Sequence, residues 1–337
     1  MALGISLFGL AHFDLPITKY VRSVTSHLPG DQLTIPWMAF TSDMGDWIGQ
    51  GWRLAFVSIV LLAIAWVLKK PNITIVAIQT LIAHGIAALL ANVLKHVIGR
   101  PRPKFVHSGD WEMSFSLVSG LDSFPSGHST ASFAIATVLA RRFPPLAPVF
   151  LAVAIFVGLS RILRGSHFLT DVIGGAVIGI LSGYLATTPV KQWRVAIQDG
   201  IHYAAVGTSA IFAVLWVLAR PMESGLDGIL FLALGISMVV AGLWIRRIRW
   251  FRQARTGESR ISAPLIMYGL AAMTTAPMVV SSVGFACMGS WLYAMGRHDD
   301  HIKESTRWSI IRESAVIGAV TVAILILVDG RGVLPFP

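Results

Sequence analysis

The sequence is poor in charge. Only 13% of its 337 residues are Asp, Glu, Lys or Arg, against roughly 25% in an average soluble domain. So few charges cannot cover a water-exposed surface, which excludes an ordinary soluble enzyme. Acidic residues are scarcest: 17 Asp and Glu stand against 27 Lys and Arg, a formal net charge of +10. In a soluble protein that excess would point to nucleic acid. Here no soluble basic domain exists to carry such a function, and most basic residues flank apolar runs, so no nucleic-acid partner is expected. Cysteine is nearly absent. Cys287 alone excludes an internal disulfide, and in its apolar stretch it reads as a small packing residue. The N-terminus is apolar but lacks a charged start and a small-residue cleavage site, so no signal peptide is expected.

What the chain does have is apolar residues, 55% of the total, in runs of about 17 to 25, each long enough to cross a bilayer. The expected fold is therefore all-α, a polytopic transmembrane helical bundle. Residues 1–50 are broken by Asp14, Pro16, Lys19 and Arg22 and contain no convincing span, so Leu15 to Val24 is expected to lie in the interface. Five spans follow: Trp52 to Leu68, Ile73 to Ile98, Ser126 to Arg142, Ala147 to Leu163, and Thr170 to Ala186. The last carries Gly175, Gly179 and Gly183 at four-residue spacing, one small face suited to close helix packing in lipid. Residues 1–190 thus form one domain. Residues 191–337 form a C-terminal membrane extension of four more spans: Ala204 to Leu218, Ile229 to Ile245, Pro264 to Tyr293 and Ile310 to Leu327.

Basic residues set orientation. Lys69, Lys70, Arg141, Arg142, Lys191, Arg194, Arg246, Arg247, Arg249, Arg252 and Arg255 collect on one side, the expected cytoplasmic side. Lys95, Arg100, Arg102, Lys104, Arg161 and Arg164 fall on the other. Charges held at one depth in lipid are costly unless they meet an anion or line a wet cavity. Three segments supply them: KHVIGRPRP closing the second span, PSGH opening the third, and SRILRGSHFLTD closing the fourth. Alternating span direction brings all three to one membrane surface.

Each piece suits a phosphate. Arg102 and Arg161 offer forked donors and Lys95 a point charge. Ser126 and Gly127 sit where a helix should start, and free amides there favour an anion. His167 and Asp171 are four apart, on one face if helical, so the carboxylate can orient the imidazole. His167 can then attack phosphorus, and His128 can protonate the leaving oxygen. Arg100, Lys104 and Arg164 are secondary candidates that also read as flanking charges. His84, His96, His107, His202, His298 and His301 have no partner pattern. No carboxylate cluster lies beside the motifs in the sequence, so neither a metal nor any other cofactor is expected.

Lys95 to Pro103, the intact PSGH, and the series Ser160, Arg161, His167, Asp171 together resemble the signature of the type 2 phosphatidic acid phosphatase superfamily, which includes membrane lipid phosphatases and vanadium haloperoxidases. The resemblance covers about residues 50 to 190. It implies a phosphohistidine on His167, activated by Asp171, with His128 protonating the leaving group. Lys95, Arg102, Ser126, Gly127 and Arg161 would hold the phosphate without metal. Family members have a six-helix core, including a span before the first one assigned here. The expected partner is a lipid phosphate or diphosphate: undecaprenyl diphosphate, phosphatidic acid, phosphatidylglycerol phosphate or a lipid A phosphate. The alternative is phosphoryl transfer to an alcohol. For residues 191–337 a structural, partner-binding or transport role is open, and the sequence is silent on oligomeric state. The expected location is a bacterial inner membrane, with the site on its outer face.

Overall fold

The computed structural model describes residues 2–25, 36–106, 115–118, 120–219, 225–252, 262–273 and 275. Among them the regular structure is helical: α1 (Ala2–Ala11), α2 (Asp14–Thr25), α3 (Pro36–Gly49), α4 (Gly51–Val67), α5 (Pro71–Ile98), α6 (Gly127–Arg142), α7 (Ala147–Leu163), α8 (Leu169–Thr187), α9 (Trp193–Ala219), α10 (Leu226–Arg252) and α11 (Ser262–Met273). The chain divides into two compact units, Leu7–Ala204 on one hand and Met1–Ser6 with Ala205–Pro337 on the other.

Among the described residues, four stretches are long and apolar enough to cross a bilayer: Pro71–Phe105, Pro144–Leu163, Leu169–Thr187 and Val190–Ala219. The pair Trp37–Gly49 and Gly51–Val67, bent by 52°, makes a fifth if taken as one span. Within residues 1–50, where no convincing span is expected from the sequence, a helix forms after Leu15 to Val24. Residues 36–49 are helical and pack against α7. Asp43, Asp46, Thr41 and Ser42 hide this helix from a hydropathy reading, because they are polar yet three of them find partners in the unit.

The first unit is built around α6, which packs against α5, α7 and α8. Its interior is small: Ala83 and Ala87 of α5 meet Ala134 and Val138 of α6, all fully buried. Large apolar side chains such as Trp66 and Leu89 point outward, the distribution expected where lipid rather than water surrounds the bundle. The three glycines of α8 do what their spacing predicts. A Cβ on Gly175 would lie 2.7 Å from the Ser126 carbonyl oxygen, and one on Gly179 2.5 Å from that of Thr130. One on Gly183 would lie 2.6 Å from the Thr137 Cβ. Two further glycines end helices where the site is built. Gly99 adopts φ 56° as the cap of α5, and Gly165 adopts φ 65° just after α7.

In the second unit α10 packs on α11. Gly235 and Gly269 face each other so closely that a Cβ on either would meet the other's carbonyl oxygen, at 2.5 and 2.6 Å. The span expected at Pro264 to Tyr293 is described only as α11 and residue 275. The span expected at Ile310 to Leu327, together with Cys287, lies outside the described residues.

Candidate active site

The C-terminal ends of α5 and α7 and the N-terminal ends of α6 and α8 meet at one end of the first unit, and they bring the three motifs together as the alternation of spans predicts. Ser126 is the N-cap of α6. Its extended backbone starts the helix at Gly127, and its side chain accepts from the Ser129 amide. The Ser126 amide donates to the Asp171 carbonyl oxygen (2.9 Å), which ties α6 to α8. A Cβ on Gly127 would lie 3.8 Å from Lys95 Nζ, so the first turn of α6 faces the lysine.

His167 is 4% exposed. Its Nδ1 lies 2.8 Å from the Ser123 carbonyl oxygen. A carbonyl can only accept, so Nδ1 carries the hydrogen and Nε2 keeps its lone pair. Burial pushes the His167 pKa down and so favours the neutral ring, against the opposing pull of the Asp171 carboxylate. The expected helical pairing of His167 with Asp171 is corrected in detail. Gly165 breaks the chain after α7, and α8 starts only at Leu169, so the two residues do not share a helical face. Asp171 Oδ2 stands 3.8 Å from His167 Nδ1. The carboxylate instead accepts from the Phe168 amide (2.8 Å), the Ser123 hydroxyl (2.5 Å) and Arg100 Nη1 (2.6 Å). Asp171 thus acts on His167 through its charge and through Ser123, whose carbonyl pins the ring.

Arg100 lies behind this group. It joins Asp171 to Asp14 of α2, with Nη2 2.7 Å from Asp14 Oδ2. Asp14 also accepts from the Thr170 amide (3.0 Å) and the Thr170 hydroxyl. Of the secondary candidates, Arg100 is therefore committed to carboxylates. Lys104 lies over the Phe105 ring, 5.0 Å from its centroid. Arg164 pairs with Asp43 and Asp46 at 3.6 and 3.5 Å.

In front, Arg102 grips Asp122 with two bonds, Nε to Oδ1 (2.9 Å) and Nη2 to Oδ2 (2.7 Å), while Lys95 Nζ lies 3.7 Å from Oδ2. Burial raises the Asp122 carboxyl, but the Arg102 hydrogen bonds and the charges of Arg102 and Lys95 outweigh it, and the pKa is pushed down to about 2. Arg161 donates through Nη1 to Asp46. Arg161 Nε and His128 Nε2 are both buried, and neither has a hydrogen-bond partner among the described residues. Buried polar atoms of this kind are costly unless a partner arrives, and both belong to residues of the motifs.

Residues 76–194 match the PAP2 superfamily. Over 192 residues the chain is 33% identical to a lipid A 1-phosphatase of Rhizobium johnstonii, a match covering 53% of this chain and 74% of that protein. The chain belongs to the PAP2 superfamily. It is also similar to phosphatidylglycerophosphatase B of Bacillus subtilis, at 38% identity over 131 residues, 34% of this chain and 59% of that one. Among solved structures it is similar to LpxE of Aquifex aeolicus, at 24% identity and a TM-score of 0.38, covering 50% of this chain and 92% of that chain. This PAP2 chain is a membrane-embedded enzyme.

Carboxylates are what the sequence reading missed. Asp14, Asp46 and Asp122 all stand beside the PAP2 motifs, each paired with a cation, whereas the sequence reading expected Asp171 alone. Among the described residues no three His, Cys, Asp or Glu side chains group as a metal site. A signal for Asp46 did exist: Gly45 and Gly49 repeat the four-residue spacing seen in α8. A Cβ on Gly45 would overlap the Ser160 side chain, and one on Gly49 would overlap Val157 and lie 3.0 Å from His128 Cδ2. Asp14 had no comparable signal.

Proposed function

We propose that this PAP2 enzyme removes phosphate from a membrane lipid through a phosphohistidine on His167. The observation that carries this reading is the buried Nδ1 of His167 held on the Ser123 carbonyl, which leaves Nε2 as a neutral nucleophile. Nε2 attacks phosphorus, and an N–P bond forms as the P–O bond to the lipid breaks. His128 Nε2 gives its proton to the departing oxygen. Water then attacks the phosphohistidine, His128 takes one of its protons back, and inorganic phosphate leaves. Arg161, Arg102 and Lys95, with the amides opening α6 at Ser126 and Gly127, stabilise the charge that develops on the phosphoryl oxygens. Fixed cations fill the part that Mg²⁺ plays in many phosphoryl transfers.

The printed names of the relatives, a lipid A 1-phosphatase and a phosphatidylglycerophosphatase, support a lipid phosphate monoester as substrate. An undecaprenyl-diphosphatase of Bacillus subtilis, 31% identical over 102 residues, keeps a lipid diphosphate in view. Release of inorganic phosphate from a panel of purified lipid phosphates tests the reading. Turnover should persist in EDTA and should not require an alcohol. Phosphate appearing on an added alcohol instead of in solution would make the enzyme a phosphotransferase. Loss of turnover in EDTA with recovery on Mg²⁺ would overturn the metal-free route.

The excess of Lys and Arg on the far side supports a site on the outer face of a bacterial inner membrane. In a Cys287→Ser background, an impermeant thiol reagent on intact cells should label Leu117→Cys and spare Arg141→Cys. The reverse pattern inverts the topology. Residues 191–337 carry none of the motif residues, which supports a structural or partner-binding role for that extension.

A further inference from the structure

Asp46 lies upstream of all three PAP2 motifs, yet its carboxylate reaches two of them. Oδ1 accepts from Arg161 Nη1 and stands 3.3 Å from His128 Nε2, while Oδ2 stands 3.5 Å from Arg164 Nη1. The placement is built into α3. Gly45 and Gly49 flank Asp46 on the face that meets α7 and α6, and neither position has room for a Cβ. The backbone of α3 can therefore approach until a side chain as short as aspartate touches the motif residues.

At His128 the approach has a particular geometry. The 3.3 Å separation is an ion-pair distance, but Nε2 makes no hydrogen bond with any described residue. Nε2 is therefore not committed to Asp46 and remains open to another oxygen. Burial is the largest influence on His128 and disfavours its protonated form, and four ionisable groups also bear on it: Arg161 from α7, Lys95 from α5, His167 from the segment before α8, and Asp46 from α3. Two are fixed cations, one is a histidine, and Asp46 is the one anion of the four. Neighbouring cations disfavour a protonated imidazole, whereas a carboxylate at this distance favours it. A general acid must be protonated when the substrate arrives.

We propose that Asp46 is a positioning residue for the leaving-group proton: its carboxylate favours the donating form of His128 against the cations around it and holds Arg161 beside it. This rests on the assignment of His128 as the acid. Asp46 then serves the acid as Asp171 serves the nucleophile, through charge at an ion-pair distance rather than through a direct hydrogen bond.

The test uses the purified full-length enzyme, its kcat/KM measured against pH with a lipid phosphate monoester and with p-nitrophenyl phosphate, whose leaving group needs no proton. For Asp46→Asn the alkaline limb with the lipid should move down by about 1 pH unit or more, and Asp46→Glu should restore most of it. The p-nitrophenyl ester should lose much less at every pH. A uniform loss for both substrates with an unmoved limb makes Asp46 a packing residue and overturns the proposal. Should Asp46→Asn fail to fold, Gly45→Ala reads the same interaction. Its Cβ pushes α3 away from Ser160 and carries Asp46 off His128, so the limb should again move down, and an unmoved limb again overturns the proposal. His128→Ala separates the two levels of the argument. If that variant spares the p-nitrophenyl ester while Asp46→Asn leaves the limb in place, only the role of Asp46 fails. If His128→Ala harms both substrates equally, the acid assignment fails and the role of Asp46 falls with it.

Discussion

Behind His167, Arg100 is held between Asp14 and Asp171, and these side chains are 6%, 2% and 0% exposed. In front of it, Lys95 and Arg102 share Asp122, with side chains 18%, 25% and 26% exposed. Both groups are cations with carboxylates, but they do different work. The rear pairs sit where neither water nor substrate can replace a partner, and every oxygen of Asp14 and Asp171 is occupied. Such a group holds the nucleophile's surroundings in one arrangement. The front pairs are wet enough to exchange, so a phosphate oxygen can take the place of an Asp122 oxygen on Arg102 or Lys95. The same chemistry thus serves at the rear as framework and, in the proposed function, at the front as the seat for the phosphate.

Three substitutions test this contrast. His167→Ala, at the boundary between the groups, should lower phosphate release by roughly 10³-fold or more while the protein still folds. Near-normal turnover in the folded variant would remove the phosphohistidine route. Arg100→Met acts at the rear and leaves two buried carboxylates without their cation. Thermal unfolding in detergent should report a loss of about 3–5 kcal/mol, and a variant as stable as the parent would show that the rear group is not framework.

Asp122→Asn acts at the front and should leave stability nearly unchanged while tightening inhibition by inorganic phosphate, by up to about fivefold on the scale of partly exposed pairs. Asp122 ionises well below the ordinary carboxylate value, at about 2. Its contribution is therefore present at all pH values above the usual carboxylate range and is lost only as pH falls toward 2. The parent's phosphate inhibition should accordingly show no change attributable to Asp122 between pH 5 and pH 8. Weaker phosphate binding in Asp122→Asn would mean that Asp122 supports the cations rather than competing for them.

The PAP2 motifs were legible because each sits at the end of an apolar run, and run direction alone decides which ends meet. Ser126 as a cap and the α8 glycines followed from local rules that the tertiary structure does not overrule. His167 and Asp171 do meet, at 3.8 Å, but not on one helical face, because α8 starts only at Leu169, after the histidine. Asp14 and Asp46 were missed for a different reason, although the spacing of Gly45 and Gly49 marked the face of α3 beside Asp46. A carboxylate in a weakly apolar segment looks like a surface residue until its cation is known, and Arg100 and Arg161 lie far along the chain. Asp122 was passed over inside the polar loop before PSGH, where a charge seems to need no partner.

The reach of α3 also sets an order of assembly. Asp46 is synthesised 115 residues before Arg161, the cation that receives it. At about 5–20 residues per second, the carboxylate waits several seconds or longer in a bundle that still lacks α7. Until α7 enters, Asp46 lacks the guanidinium that later receives it. The contact between Asp46 and Arg161 can therefore form only once α7 has been made, and it is completed by a residue synthesised long after the carboxylate it receives.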